Sequence, residues 1–312
     1  MIVGIIGTGL VGATAAYALI TRGVGRTIVL VDLDRDRARA EANDLRHAVP
    51  FANPLLIQEG TYADLVGAKI VIISAGVSQK PGETRLELLS RNAEVFQAII
   101  PQILEVTPDA ILLIATNPVD IMTHLAARFA QENGVPSNRV IGTGTTLDTA
   151  RFRSLLGDHF QVDSTHVHAY VLGEHGDSEV VPFSPITIGN VPLHAFCEQW
   201  EICLDEDDKK RIDHQVRNAA YEIINGKGAT YYGVSSAIAK IVEVILGDQR
   251  AILTVCTKLE EVAGIKDVTL SLPHLVGGSG ILNSLQVPLA LNEQAQLHES
   301  AKIVKESIDL LK

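Results

Sequence analysis

The sequence predicts an α/β fold: a parallel sheet wound on both faces by helices over residues 1–143, followed by an α+β unit over residues 144–312. Three observations predict it. Short apolar runs alternate with helical patterns through the first half. The first of those runs leads into glycines spaced G-x-G-x-x-G. From about Gly144 the alternation gives way to irregular strands and one long helical stretch. Buried runs separated by helices call for parallel pairing, because each crossover helix covers one face of the sheet.

Residues 1–20 carry no charge. Ile2, Val3, Ile5 and Ile6 read as the first strand, and Gly7, Gly9 and Gly12 follow. Gly7 permits a tight turn, Gly9 lets backbone approach a pyrophosphate, and Gly12 lets a helix pack closely on the strand. Leu10 and Val11 open that helix, where free N–H groups and the dipole favour an anion. A second strand, residues 27–31, ends at Asp32. An acid about twenty residues beyond the glycines accepts hydrogen bonds from a ribose diol. It also repels a 2′-phosphate, so NAD is favoured over NADP. This is a Rossmann-type start. The same uncharged stretch is about long enough for a membrane span. It lacks the basic start and cleavage context of a signal peptide, and its glycines weaken a lone helix.

Helical patterns follow at residues 35–48, 84–106 and 119–133. Apolar runs lie between them at 55–57, 70–74, 110–115 and 140–141. In the second half a helix is expected at 147–155 and strands at 166–172 and 186–188. A helical stretch at 206–246 is expected to break at 226–228. Strand-like runs at 251–257 and 268–272 and a closing helix at 293–311 complete the chain. No Pro- or Ser-rich linker separates the halves, so they should pack tightly. Ligands of such sheets sit beyond the carboxyl ends of the strands. The residues after Ser74, Ala115 and Ile141 are therefore expected to line the site.

The net charge of −11 argues against nucleic acid or an anionic membrane as partner. An anionic substrate must then be drawn in by local arginines. Three cysteines, Cys197, Cys203 and Cys256, have no C-x-x-C spacing. They read as free thiols of a reducing, cytoplasmic compartment, with neither a disulfide frame nor a metal site.

The chemistry-bearing residues cluster after those strand ends. Residues 75–85 read AGVSQKPGETR, 116–120 read TNPVD, 142–153 read GTGTTLDTARFR and 173–178 read GEHGDS. With these four motifs in this order, the chain resembles the lactate/malate dehydrogenase family from end to end, and its bacterial lactate-oxidising branch in particular. The resemblance implies an enzyme that moves a hydride between NAD and a small 2-hydroxy acid.

Hydride transfer to a carbonyl carbon leaves charge on oxygen, so a proton donor is needed. His175 suits the task because histidine titrates near working pH. The resemblance pairs it with Asp148, which would hold the imidazole tautomer and favour its protonated form. An acid at a helix start also serves the helix dipole alone. Arg151 lies one helical turn from Asp148, and its fork matches a substrate carboxylate bidentately. Arg85 closes a segment bent by glycine and proline that reads as a lid. Closing would bring Arg85 onto the substrate carbonyl. A cation at a helix start is otherwise unfavourable. The resemblance gives Asn117 contacts with substrate and nicotinamide, and places Thr230 beside the substrate's side chain. The alternatives are a turn-forming Asn-Pro and an ordinary helix hydroxyl.

Gln79 bears on substrate choice. Malate dehydrogenases of the family place an arginine there for a second carboxylate. Glutamine leaves that carboxylate unpaired, which costs several kcal/mol, so pyruvate is expected. A malate dehydrogenase, an enzyme for larger 2-oxo acids and a non-catalytic NAD sensor remain the alternatives. A sensor has no reason to keep His175, Asp148, Arg151 and Arg85 together. Some family members are activated by fructose 1,6-bisphosphate held between subunits by an arginine and a histidine. The matching residues are Arg153 and His168, whose alternative reading is ordinary surface groups. The resemblance further implies a homotetramer. The chain opens at its first strand without the N-terminal arm of vertebrate relatives, so tetramer stability is expected to depend on effector or on other contacts.

Overall fold

Residues 1–77 and 82–311 are described here from a computed structural model, with the side chain of Arg85 excepted. The first half alternates as expected: β1 (Ile2–Ile6), α1 (Leu10–Arg22), β2 (Thr27–Val31), α2 (Arg35–Ala48), β3 (Leu56–Glu59), β4 (Ala68–Ile73), α3 (Arg85–Val106), β5 (Ile111–Ile114), α4 (Val119–Glu132) and β6 (Val140–Gly142). These six strands pair in parallel in the order β3-β2-β1-β4-β5-β6. The order reverses direction between β1 and β4, which opens the crevice where ligands of such sheets bind.

Alternation inside the apolar runs sorts the strands into two cores. Val3, Ile5, Ile28, Leu30, Ile70 and Ile72 face one core with Leu19 of α1. Ile6, Val29, Val31, Val71 and Ile73 face the other with Phe96 of α3 and Met122 of α4. Burying each such side chain contributes ~1.5–3 kcal/mol, so both helical layers are strongly held.

The second half contains α5 (Thr146–Phe160), β7 (Val167–His168), β8 (Thr187–Ile188), β9 (Val191–Pro192), α6 (Leu193–Trp200), α7 (Glu206–Lys227), α8 (Tyr232–Leu246), β10 (Ala251–Leu253), β11 (Cys256–Val262), β12 (Ile265–Ser271), β13 (His274–Gly277), β14 (Gly280–Ser284) and α9 (Leu291–Asp309). The β11–β12 hairpin joins the first sheet antiparallel, through Cys256 opposite Gly142 on β6. The sheet of the first half is thus extended by the second.

Two expectations are corrected. The run at 251–257 is two strands, because β10 pairs with β13 while β11 pairs with β12. The corner at Thr254 is held by α5: its carbonyl accepts from the Thr146 hydroxyl at 3.2 Å, and its hydroxyl meets that of Thr149 at 2.8 Å. Thr254 and Val255 are both buried, so the apolar pattern runs on through the corner without marking it. The helix at 206–246 does break, at Gly228, which takes φ +85° and donates its N–H to the Ile224 carbonyl. Helix resumes only at Tyr232, so Thr230 lies in the connector and not on a helix.

Candidate active site

At the nucleotide end the three glycines have distinct surroundings. Gly7 takes φ +93°, and a Cβ there would meet the Ala75 backbone N at 2.6 Å. β1 and β4 are parallel neighbours, so the turns that leave them touch here. A Cβ on Gly12 would strike the Gly7 carbonyl oxygen, so helix and turn approach as closely as glycine allows. Above Gly9 a Cβ would meet nothing within 4 Å. Gly9 is also the N-cap of α1, without a side-chain cap and without an acid in the first turn. The first N–H groups, from Leu10 and Val11 onward, therefore keep their dipole for an outside anion.

Asp32 stands at the end of β2. Its Oδ2 accepts from the N–H and the hydroxyl of Thr8 at 2.6 and 2.9 Å, and its Oδ1 accepts from the Asp34 N–H at 3.0 Å. Burial raises its pKa, but these hydrogen bonds and the Arg37 charge outweigh it and hold the carboxyl below its usual range. Asp32 is therefore ionised, with lone pairs left for a diol. A dinucleotide fits the open backbone at Gly9 and this carboxylate.

At the other end of the crevice α5 begins directly after β6. Its start is fixed by Thr145, whose N–H donates to Ser271 Oγ at 3.1 Å and whose hydroxyl donates to the Val171 carbonyl at 2.6 Å. That places Asp148, only 2% exposed, on the buried face of the first turn. Its Oδ2 lies 2.6 Å from His175 Nδ1, and its Oδ1 accepts from Arg151 Nη1 at 2.7 Å. The expected trio of His175, Asp148 and Arg151 is thus assembled.

Three elements hold the loop that carries His175. Gly173 exchanges two backbone hydrogen bonds with Ser271 of β12, and the Glu174 N–H donates to Ser300 Oγ of α9 at 2.9 Å. The His175 N–H donates to Asp120 Oδ2 of α4 at 2.7 Å. Gly173 is required for this, since it takes φ +89° and a Cβ would meet Ser300 Oγ at 2.6 Å.

Burial works against a charged imidazole. The Asp148 charge and hydrogen bond, helped by Asp120 and Glu179, outweigh it and push His175 up to about 9. Burial likewise opposes ionisation of Asp148, but His175 and Arg151 hold its carboxyl below the usual range. Nδ1 is taken by the carboxylate, so Nε2 is the nitrogen left to carry a transferable proton. The site can thus bind an anion at Arg151 and deliver a proton beside it.

The remaining expected residues are placed less tightly. Asn117 follows β5 and is exposed, with a cis bond to Pro118. Thr230 is half-buried in the α7–α8 connector, and Gly233 just beyond it packs on Leu147 of α5. Arg85 opens α3, but its side chain, and all of Gln79, lie outside the described residues. Arg153 Nε donates to the Ala169 carbonyl at 2.8 Å and its guanidinium lies 5.0 Å from the Tyr170 ring centre, while His168 is exposed on β7.

Sequence reasoning missed three contributors: Thr8, Asp120 and Glu179. Thr8 and Asp120 sit inside quoted motifs but carry no chemistry of their own. Glu179 precedes the apolar Val180 and Val181, and alternation would turn it to solvent. Instead its N–H closes a turn onto the Gly176 carbonyl at 3.1 Å, which tucks the side chain inward to 5% exposure.

Comparison with known proteins follows the same division of the chain. The lactate/malate dehydrogenase NAD-binding domain matches residues 1–142, and the lactate/malate dehydrogenase α/β C-terminal domain matches residues 145–312. An L-lactate dehydrogenase of Geotalea daltonii is 58% identical over 309 residues, 99% of each chain. One of Thermus aquaticus is 52% identical over 305 residues, 98% of this chain and 97% of its own. The crystal structure of a lactate dehydrogenase from a Medee basin deep-sea metagenome library superposes with a TM-score of 0.95 at 38% identity, covering 99% of this chain and 98% of that one.

Proposed function

The chain belongs to the lactate/malate dehydrogenase family, and from that premise we propose that it is an NAD-dependent L-lactate dehydrogenase that reduces pyruvate with His175 as proton donor. The observation that carries the reading is the 2.6 Å contact of His175 Nδ1 with Asp148, whose other oxygen takes Arg151. When bound, NADH supplies the hydride to the carbonyl carbon. His175 Nε2 gives its proton to the carbonyl oxygen and is left neutral, to be reloaded from solvent. Asp148 keeps the ring in the tautomer that leaves Nε2 toward substrate, and it stabilises the charged form. Arg151 spends one Nη1–H on Asp148 and keeps the rest of its fork for the substrate carboxylate.

Arg85 polarises the carbonyl, Asn117 contacts substrate and nicotinamide, Thr230 lies by the methyl group, and Gln79 leaves the second carboxylate of oxaloacetate without a partner. Gly7, Gly9, Leu10, Val11, Gly12 and Asp32 hold the dinucleotide. Residues 1–143 form the dinucleotide-binding domain and 144–312 the catalytic one. The enzyme works in the cytoplasm as a homotetramer, and Arg153 with His168 binds fructose 1,6-bisphosphate between subunits. Steady-state kinetics with NADH, comparing pyruvate with oxaloacetate with and without the bisphosphate, test the reading. Faster use of oxaloacetate would make it a malate dehydrogenase. No turnover of either acid would make it a sensor.

A further inference from the structure

Glu179 is a buried acid for which the scheme above has no use. Its Oε1 is shut off from solvent and has no hydrogen-bond partner among the described residues. A carboxylate oxygen of Glu179, one of Asp148 and a ring nitrogen of His175 all lie within 4.8 Å of one another. The groups that face this cluster come from three directions. Asp148 and Arg151 come from α5, Asp120 from α4, and Arg217 from α7. Arg217 is spoken for: it forks onto Asp213 at 2.8 and 2.9 Å and donates to the Glu179 backbone carbonyl at 2.5 Å. Asp177, in the same loop, accepts from the Tyr221 hydroxyl at 2.9 Å.

Two carboxylates this close, with one imidazole between their charges, cannot both ionise cheaply. Asp148 has the hydrogen bonds that stabilise its anion, and Glu179 has none at Oε1. We propose that Glu179 is a positioning residue of the proton relay, holding a proton while His175 is loaded and an anionic substrate is bound, and releasing it to solvent in the alkaline range, where its charge props up the protonated imidazole but opposes the substrate. The inference rests on the reading of His175 as proton donor.

Charge counting explains the role. With Glu179 neutral, Asp148, His175 and Arg151 leave one net positive charge for the substrate carboxylate, while Asp120, held on the backbone N–H of His175, contributes equally in both states of Glu179. An ionised Glu179 cancels it. Burial, then the Asp148 charge, push Glu179 up to about 8 against the pull of Arg217, His175 and Arg151. His175 follows at about 9. Tight pyruvate binding therefore requires two protons, one on each group.

Two measurements test this. In NADH-saturated enzyme, log KM for pyruvate against pH should climb toward a slope of two above pH ~9, and Glu179→Gln should climb with a slope of one. In enzyme labelled with 15N-histidine, the His175 signal, assigned with His175→Asn, should titrate in two steps. In Glu179→Gln it should titrate in one step at lower pH, and Glu179→Asp should restore two. A slope of one and a single step in the native enzyme would overturn the proposal, whether or not the variants fold. So would a Glu179→Gln enzyme that keeps the native slope. The underlying reading fails differently, by His175→Ala retaining turnover of pyruvate.

Discussion

The backbone N–H of His175 donates to Oδ2 of Asp120 over 2.7 Å, joining positions 55 residues apart. The 173–178 loop is thereby tied to the helix that begins just after Asn117. Asp120 is 2% exposed, and burial, partly offset by that hydrogen bond, pushes its carboxyl up to about 7. Its charge also favours protonated His175. Asp120→Asn keeps an acceptor for the His175 N–H but removes the charge. It should fold, and the pH at which pyruvate reduction declines should move down. Asp120→Ala leaves a buried N–H unpaired, at a cost of ~1–3 kcal/mol. It should lower both kcat and Tm, and thermal melts beside pH–rate profiles of the two variants check the distinction.

The proton donor has the sharpest signature. His175→Ala and Asp148→Asn should each lose ~10²–10⁴-fold in kcat for pyruvate, while NADH still binds, as fluorescence titration would report. Asp148→Asn loses the charge and leaves one acceptor oxygen for two donors, His175 Nδ1 and Arg151 Nη1, so the tautomer is no longer fixed. Reduction needs His175 charged, so its rate should be full at neutral pH and fall as pH rises through about 9. Lactate oxidation needs the neutral ring, so it should rise over the same range. A reduction rate that does not fall through that range would remove His175 from the role.

Specificity is expected to turn on one loop residue. Gln79→Arg supplies a partner for the second carboxylate of oxaloacetate, whose unpaired burial costs several kcal/mol. The ratio of kcat/KM for oxaloacetate over pyruvate should rise ~10³-fold. An unchanged ratio would mean that Gln79 does not face the substrate.

For the cofactor, the proposed function makes the ionised Asp32 the selector. Its carboxylate is held by Thr8 and Asp34, so it does not swing away to admit a 2′-phosphate. NADH should be preferred to NADPH, and Asp32→Ser should narrow the preference by ~10-fold or more. Thr8→Val should narrow it less, since the Thr8 N–H remains. Equal use of both cofactors by the native enzyme would contradict this account.

What could be read in advance follows from where the information lies. Gly7, Gly9 and Gly12 were legible because each has a backbone reason that survives without neighbours. The pair of His175 and Asp148 was legible only through the family likeness, since nothing local says that α5 and the 173–178 loop meet. That meeting is built by Thr145, Ser271 and Ser300, hydroxyls whose partners lie over 25 residues away. Glu179 was invisible because the turn onto Gly176 that tucks it inward, and the Arg217 hydrogen bond to its carbonyl, leave no mark in the apolar pattern. The 254 corner was invisible because both flanks are equally apolar. Long-range polar contacts, rather than periodicity, separate what was read from what was missed.

Regulation gives the last prediction. Arg153 donates to the Ala169 carbonyl, one residue beyond His168, so both groups belong to one edge of α5 and β7. His168 is exposed there, while Arg153 is anchored by its Nε and by Tyr170. An anchored guanidinium still has its Nη donors for a phosphate. If two subunits set these edges together, like charges repel and a bisphosphate relieves them. A ligand that binds the assembled state better must shift the population toward it. Fructose 1,6-bisphosphate should therefore lower the pyruvate half-saturation and raise the tetramer fraction in sedimentation velocity. Both effects should be lost in His168→Ala and in Arg153→Ala, while turnover at saturating pyruvate persists in the His168 variant. Activation that survives in both variants would place the site elsewhere. No activation of the native enzyme would leave Arg153 as a packing residue and His168 as a surface group.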